Sequence, residues 1–175
     1  MRIYAEEKEK KIIKECLDFF PDKKSFKTLR YIIDVNNPKL PKIIFNEKTI
    51  FNWESFDKVK FYLIGGMHVL YSKDISDIYL KNIKMLDLPC KLACRCYSDF
   101  YHTVIHELAH HYFIKNNLYK DWKNISKKKD KHITMYSRKN IGEFFAEHYV
   151  AFTTESGYEW LDKNRPDVLS LLERL

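Results

Sequence analysis

The chain has 175 residues, a length typical of one globular domain, and 45% of them are hydrophobic, which is enough for a core without disulfide staples. The formal net charge of +7 is compatible with an acidic partner but does not define the fold. Only four residues are glycine, and only Gly65 and Gly66 lie close together. Phosphate-binding loops of the dinucleotide, P-loop and kinase types need several closely spaced glycines, so the sequence excludes them.

The first twenty residues are rich in lysine and glutamate and lack the apolar stretch of a secretory signal. No apolar run reaches the roughly eighteen residues of a membrane span. We therefore expect a cytoplasmic protein with no membrane partner, while delivery outside the cell by another route stays open. The four cysteines are expected to be reduced thiols in such a compartment; they are Cys16, Cys90, Cys94 and Cys96.

The N-terminal half of the chain predicts one helix followed by short strands. Residues 4–20 indicate an amphipathic helix, because Ile13, Cys16 and Phe20 recur at helical spacing in a charged background. Asparagine, proline and glycine separate the apolar clusters that follow, as is typical of strands. These clusters are Arg30–Val35, Lys42–Phe45, Val59–Ile64, Met67–Tyr71 and Ile78–Leu80.

The C-terminal half predicts helices. The expected bounds are Ser98 or Asp99 to about Asn116, Asn140 to about Glu155 with Gly157 ending that helix, and Pro166 as the start of a last short helix. No repeat or linker divides the chain, so we predict a single α+β domain over residues 1–175. Its sheet is expected to be short and mixed or antiparallel.

A lysine-rich run lies between the two longer helices. Lys120 to Lys131 contains six lysines against Asp121 and Asp130, and Trp122 is its only aromatic residue. A solvated loop is the usual structure of such a run, and a patch for a nucleic acid or an acidic substrate is the alternative. We expect no nucleic acid partner, because one aromatic residue offers little base stacking.

The first of the later helices carries the sequence His106-Glu107-Leu108-Ala109-His110. Histidines four residues apart share a helix face, so both imidazoles can reach one metal ion. Glu107 is rotated about 100° from them, where it can reach water bound to that metal. A structural histidine pair is the alternative, but histidine is too rare in this chain for the pattern to arise readily by chance.

A catalytic zinc site needs a third protein ligand and an open position for water. The next predicted helix contains Glu143 and Glu147 on one face, in an otherwise apolar stretch. We predict that Glu143 is the third ligand. Glu147 is predicted to accept the free ring N–H of a ligating histidine, with a place at the surface or the core edge as its alternative.

The segment from Tyr136 to Glu147, which includes Glu143-Phe144-Phe145-Ala146-Glu147 after the HELAH motif, resembles the catalytic domain of the anthrax lethal factor family of zinc metallopeptidases. The clostridial proline-proline endopeptidases belong to the same group. The resemblance covers residues 65–175. It implies a small zincin-like domain, one Zn²⁺ per chain held by His106, His110 and Glu143, and Tyr136 as a residue that stabilises the transition state.

The same resemblance implies that the glycine-led segment upstream forms an edge strand, which pairs with the backbone of a protein or peptide substrate. Its substrate-binding residues would be Gly66, Met67, His68 and Val69. The predicted reaction is hydrolysis of a peptide bond, with Glu107 as the general base. His111 stands shortly after the second histidine, where the family tends to carry an acidic residue. The family is usually secreted.

Two other functions stay open at this stage. One is a cytoplasmic metallopeptidase that cleaves phage or mobile-element repressors, and the other is a non-catalytic, zinc-containing binding module. A toxin, a phage protein and a host protein are all compatible with the sequence. A second metal or Cys–His site at Cys90, Cys94, Cys96 and His102 has no trusted ligand spacing. The sequence does not predict an oligomeric state.

Overall fold

The computed structural model describes residues 1–34, 66–72, 75–80, 99–128, 131–134 and 136–175. These residues form a mixed α+β structure with one four-stranded sheet. The predicted strands at Lys42–Phe45 and Val59–Ile64 lie outside the described residues, as do Gly65, Cys90, Cys94 and Cys96.

Four strands make the sheet: β1 (Arg2–Tyr4), β2 (Leu29–Asp34), β3 (Gly66–Ser72) and β4 (Ile75–Leu80). Their spatial order is β1-β2-β4-β3. β2 runs parallel to both β1 and β4, whereas β3 is antiparallel to β4. β3 therefore lies at one edge, and among the described residues its outer side has no partner strand.

The described helices cluster at the two ends of the chain. A 3₁₀ helix spans Lys23–Thr28 and another spans Tyr136–Arg138. The α-helices are α1 (Glu7–Asp18), α2 (Asp99–Lys115), α3 (Tyr119–Ser126), α4 (Ile141–Phe152), α5 (Glu155–Asn164) and α6 (Pro166–Leu172).

Aromatic side chains hold α4 in the core. The rings of Phe20 and Tyr149 stack with centroids 4.5 Å apart. Phe145 of α4 packs against Phe113 of α2 at 5.0 Å and receives the edge of Trp122 from α3 at 4.8 Å. Such buried aromatic pairs add specific geometry to the apolar area that they remove from water. They place α2 and α4 side by side, with nearly all of α4 buried.

Two predicted elements differ in the structure, one at the N-terminus and one in the lysine run. The first helix is shorter than residues 4–20, because residues 2–4 pair with β2 instead. This pairing joins segments about thirty residues apart, so local periodicity does not reveal it. The solvated-loop prediction is wrong for Tyr119–Ser126, which forms α3. Trp122 is buried there, while Lys120, Lys123 and Lys127 remain exposed.

The predicted role of Gly157 is also wrong. α4 ends at Phe152, and Gly157 lies in the first turn of α5, where its N–H donates to Thr154 Oγ1 at 2.7 Å. A Cβ atom at position 157 would collide with the Ala151 carbonyl oxygen. Glycine is required here because the two helices approach closely, and not because a helix ends there.

Candidate metal centre

Helix α2 carries the HExxH motif on a buried face. Val104, Ile105, Leu108 and Ala109 are almost fully inaccessible to solvent and anchor the helix in the core. His106 is buried on the same helix, whereas His110 is partly exposed. The spacing of four residues places both imidazoles on one side of α2, as the sequence predicts.

Helix α4 is positioned by the cap that precedes it. Asn140 has an extended backbone, and its side chain accepts the Glu143 N–H at 2.9 Å. This contact satisfies one of the free N–H groups of the first turn and fixes where the helix begins. A Cβ atom at Gly142 would lie 3.2 Å from Asn140 Oδ1 and 3.5 Å from His110 Nδ1. The glycine therefore leaves room for the His110 ring beside the first turn.

Three ligand atoms converge between the two helices. Glu143 Oε2 lies 3.0 Å from His106 Nε2 and 3.1 Å from His110 Nε2, and the two nitrogens are themselves 3.0 Å apart. A tetrahedral zinc ion with bonds of about 2.0–2.1 Å separates its ligand atoms by about 3.3 Å. The three atoms are thus close to the spacing that zinc requires, and two imidazoles with a carboxylate are a typical zinc donor set.

The charges in this cluster depend on one another. Burial alone would lower the pKa of His106, but hydrogen bonds to Glu143 and Glu147 outweigh it and raise that pKa to about 10. Burial alone would raise the pKa of Glu143, but its hydrogen bonds to His106 and His110 hold that pKa far below its usual range. The carboxylates are therefore negatively charged and the protonated His106 balances them in this structure, a place that a metal cation could take.

Glu107 is buried beside this cluster with 6% of its surface exposed. Burial raises the pKa of its carboxyl group, and the positive charges of His106 and His110 partly oppose this effect. The carboxylate also accepts the backbone N–H of His68 on β3. Glu107 therefore links the His106–His110 region of α2 to the edge strand.

Glu147 makes contacts on both sides of its carboxylate. Its Oε1 atom lies 2.8 Å from His106 Nδ1, although the two are not aligned for a good hydrogen bond, and 3.2 Å from His102 Nε2. Its Oε2 atom accepts the Thr134 hydroxyl at 2.8 Å. The carboxylate is buried against the far nitrogen of His106, and the hydrogen bond predicted between them stays a prediction.

Sequence reasoning missed the roles of His102 and Thr134. His102 precedes His106 by one helical turn, so its spacing could have indicated a place on the same face. Thr134 has no comparable signal, since its contact with Glu147 depends on how the segment before Tyr136 packs against α4.

Tyr136 begins the short 3₁₀ helix next to the cluster. Its ring centroid is 5.9 Å from that of His106, and 38% of its surface is exposed. Burial of its hydroxyl raises the pKa of Tyr136, as do the charge of Glu143 and a hydrogen bond to it. The hydroxyl is therefore protonated at neutral pH and lies beside the ligand atoms.

The predicted substrate-binding segment, Gly66 to Val69, forms the start of edge strand β3. His68 Nε2 lies 3.2 Å from His111 Nδ1. His111 is fully buried; its Nδ1 also lies 3.0 Å from Ser76 Oγ, and its Nε2 lies 2.9 Å from the Ser25 carbonyl oxygen. The His68 side chain is thus part of the contact between sheet and helix.

No model of a known protein family, no curated protein and no solved structure matches the chain. The part of the chain that the structure describes contains no helix long and apolar enough to cross a membrane.

Proposed function

We propose that the protein is a zinc-dependent metalloendopeptidase that hydrolyses peptide bonds of a protein substrate. The observation that carries this proposal is the convergence of His106 Nε2, His110 Nε2 and Glu143 Oε2 within 3.1 Å of one another, beside the buried carboxylate of Glu107. Three protein ligands with a neighbouring acid or base are the arrangement of catalytic zinc sites, whereas structural sites usually have four protein ligands.

His106, His110 and Glu143 would hold one Zn²⁺ per chain. When bound, zinc polarises a carbonyl group and lowers the pKa of a water molecule toward about 7. Glu147 would keep the Nδ1 side of His106 next to a carboxylate, which increases the basicity of the ligating nitrogen.

Glu107 would serve as the general base and then as the general acid. Its carboxylate would take a proton from the attacking water and deliver it to the leaving nitrogen of the peptide bond. The elevated pKa of Glu107 supports both steps, because a catalytic group works best when its pKa is close to the operating pH.

Tyr136 would stabilise the negative charge that develops on the substrate carbonyl oxygen. Its protonated hydroxyl lies beside Glu143, and its partly exposed ring is accessible from solvent. The hydroxyl is bonded to Glu143 in this structure, so it would turn from that carboxylate to the substrate oxygen when the charge forms.

Edge strand β3 would hold the substrate by main-chain hydrogen bonds, in the manner of an added strand. In the antiparallel register with β4, His68 is opposite Ile78. The His68 N–H is already bonded to Glu107, which places the general base at the same edge where the substrate backbone would lie.

The mixed sheet, the antiparallel edge strand and the two ligand-bearing helices support a zincin-like fold of the lethal factor type. We include this relationship in the proposal, and with it the peptide or protein substrate that it implies.

The proposal is tested by measuring zinc content and cleavage of a peptide library. We expect one zinc per chain in the wild type and none in His106→Ala. Glu107→Gln should retain zinc and lose about 10²–10⁴-fold in cleavage rate, because it removes only the group that transfers the proton. The library also reports which sequences are cleaved.

Glu159→Gln is the matched control, since Glu159 is an exposed helical glutamate outside the cluster, and it should leave zinc content and cleavage unchanged. Full cleavage by Glu107→Gln would overturn the mechanism. Zinc binding without cleavage of any peptide by the wild type would instead favour a non-catalytic binding module.

A further inference from the structure

We propose that His102 is a positioning residue for the metal centre, which acts through Glu147 on the ligand His106. This inference rests on the proposed zinc site. It concerns a residue outside the HExxH motif, one helical turn before it on α2.

The contact between His102 and Glu147 has a defined direction. His102 Nε2 lies 3.2 Å from Glu147 Oε1, and the Thr134 hydroxyl donates to the other oxygen of this carboxylate, which as an anion only accepts hydrogen bonds. The Nε2 atom must therefore carry the proton. The side chains of His102 and Glu147 are 14% and 5% exposed, so water does not readily replace this donor.

The same carboxylate oxygen reaches the ligand histidine. Glu147 Oε1 lies 2.8 Å from His106 Nδ1, on the side of the ring opposite the atom that faces Glu143. The rings of His102 and His106 lie roughly parallel with centroids 6.1 Å apart, and Oε1 contacts both. His102 thus holds Oε1 within 2.8 Å of His106 Nδ1, although the two atoms are not aligned for a hydrogen bond in this structure.

Thr134 holds the other half of the carboxylate. Its hydroxyl donates to Glu147 Oε2 at 2.8 Å and accepts the Ser137 N–H at 3.1 Å. With both oxygens engaged, the carboxylate plane cannot rotate freely about its last bond. Substitution of His102 would release only Glu147 Oε1, the oxygen that lies next to His106. We therefore expect the substitution to change the metal affinity.

A second metal ion among these residues is the competing explanation, because His102, His106 and Glu147 also bring ligand atoms within 4.8 Å of one another. His106 would then have to lose the protons of both ring nitrogens. Thr134 occupies the remaining carboxylate oxygen, and hydrogen bonds account for the contacts of Glu147 with Thr134 and His102. The geometry therefore favours positioning over a second ion.

The test measures zinc affinity by competition with a chromogenic chelator, together with zinc stoichiometry. His102→Leu should weaken zinc binding about 10-fold, as expected when the outer partner of a ligand histidine is disturbed. His102→Gln can place an amide N–H near the lost Nε2, so it should stay within about 3-fold of the wild type. If leucine prevents folding, His102→Asn, whose amide is too short to reach Glu147, should show the 10-fold loss.

Asn124→Leu is the control, because Asn124 is exposed on α3, outside the cluster, and the zinc affinity of this variant should equal that of the wild type. Unchanged affinity in the leucine and asparagine variants would overturn the role of His102. Two zinc ions in the wild type and one in His102→Leu would overturn it in favour of a second metal site. A wild type that binds no zinc would overturn the proposed function itself.

Discussion

Adjacent histidines of helix α2 belong to two different polar clusters. His110 faces Glu143 and His106, in a cluster whose other members are carboxylates. His111 faces Ser76, His68 and the Ser25 carbonyl, in a cluster with no carboxylate among its described partners. One residue along the helix separates a site suited to a cation from a neutral structural contact.

The partners decide the charge of each imidazole. Carboxylates raise the pKa of His106 to about 10, whereas burial and the neighbouring His111 lower the pKa of His68 to about 3. Burial likewise lowers the pKa of His111. A buried histidine is therefore charged or neutral according to what its ring touches, and residue type alone does not predict which.

The largest change in zinc affinity should come from removing the negative charge of Glu143. Glu143→Gln should weaken zinc binding by more than about 100-fold, because it replaces a ligand and loses a negative charge, whereas disturbed outer partners cost about 10–100-fold. Competition with a chelator measures this change. Glu159→Gln serves as the control, and an unchanged affinity in Glu143→Gln would show that the three atoms do not form the zinc site.

Disturbing the cluster around His111 should lower the free energy of unfolding and leave the zinc affinity unchanged. His111→Leu leaves the buried Ser76 hydroxyl without its partner and the Ser25 carbonyl with the Thr28 hydroxyl, at a cost of about 1–3 kcal/mol in the free energy of unfolding. Urea denaturation with a chelator present measures this cost. If His111→Leu weakens zinc binding as strongly as Glu143→Gln does, the His110 and His111 clusters do not have separate roles.

His148 is another buried histidine, and its charge makes the stability of the protein depend on pH. His148 is fully buried in α4; its Nδ1 donates to the Phe144 carbonyl, and its Nε2 has no hydrogen-bond partner among the described residues. Burial lowers the pKa of His148 from 6.5 to about 4. Between these values the unfolded chain binds more protons than the folded one, so the stability from this group is complete above about pH 6.5 and is lost as pH falls toward 4.

From the two pKa values, this contribution should fall by about 2 kcal/mol between pH 7.5 and pH 5. The measurement is the free energy of unfolding at both values, for the wild type and for His148→Leu. The variant should lose less stability on acidification than the wild type. An equal loss in both proteins would mean that His148 does not titrate as its burial implies.

Local signals predicted the helices that carry the site. Asn140 caps α4 as expected, Pro166 begins α6, and α2 ends within one residue of the predicted bound. The prediction failed at Gly157 and in the lysine run. In both places a contact with another segment decides the structure, and periodicity within one segment does not report such contacts.

The candidate site also combines features set within one helix with contacts between different elements. Histidines at positions 106 and 110 share a face in any α-helix, and Glu143 and Glu147 share a face for the same reason. The roles of His102 and Thr134, and the bond from the His68 backbone to Glu107, join residues on different elements. They depend on the packing of α4 and β3 against α2.

The sequence by itself determined the donor types and their spacing along each helix, because the helical repeat is a local property of the backbone. Only the tertiary structure decided that Glu143 lies within 3.1 Å of both histidines and that His111 turns toward the sheet. Those distances follow from aromatic packing between α2, α3 and α4, where the fit of whole side chains fixes how closely the helices approach.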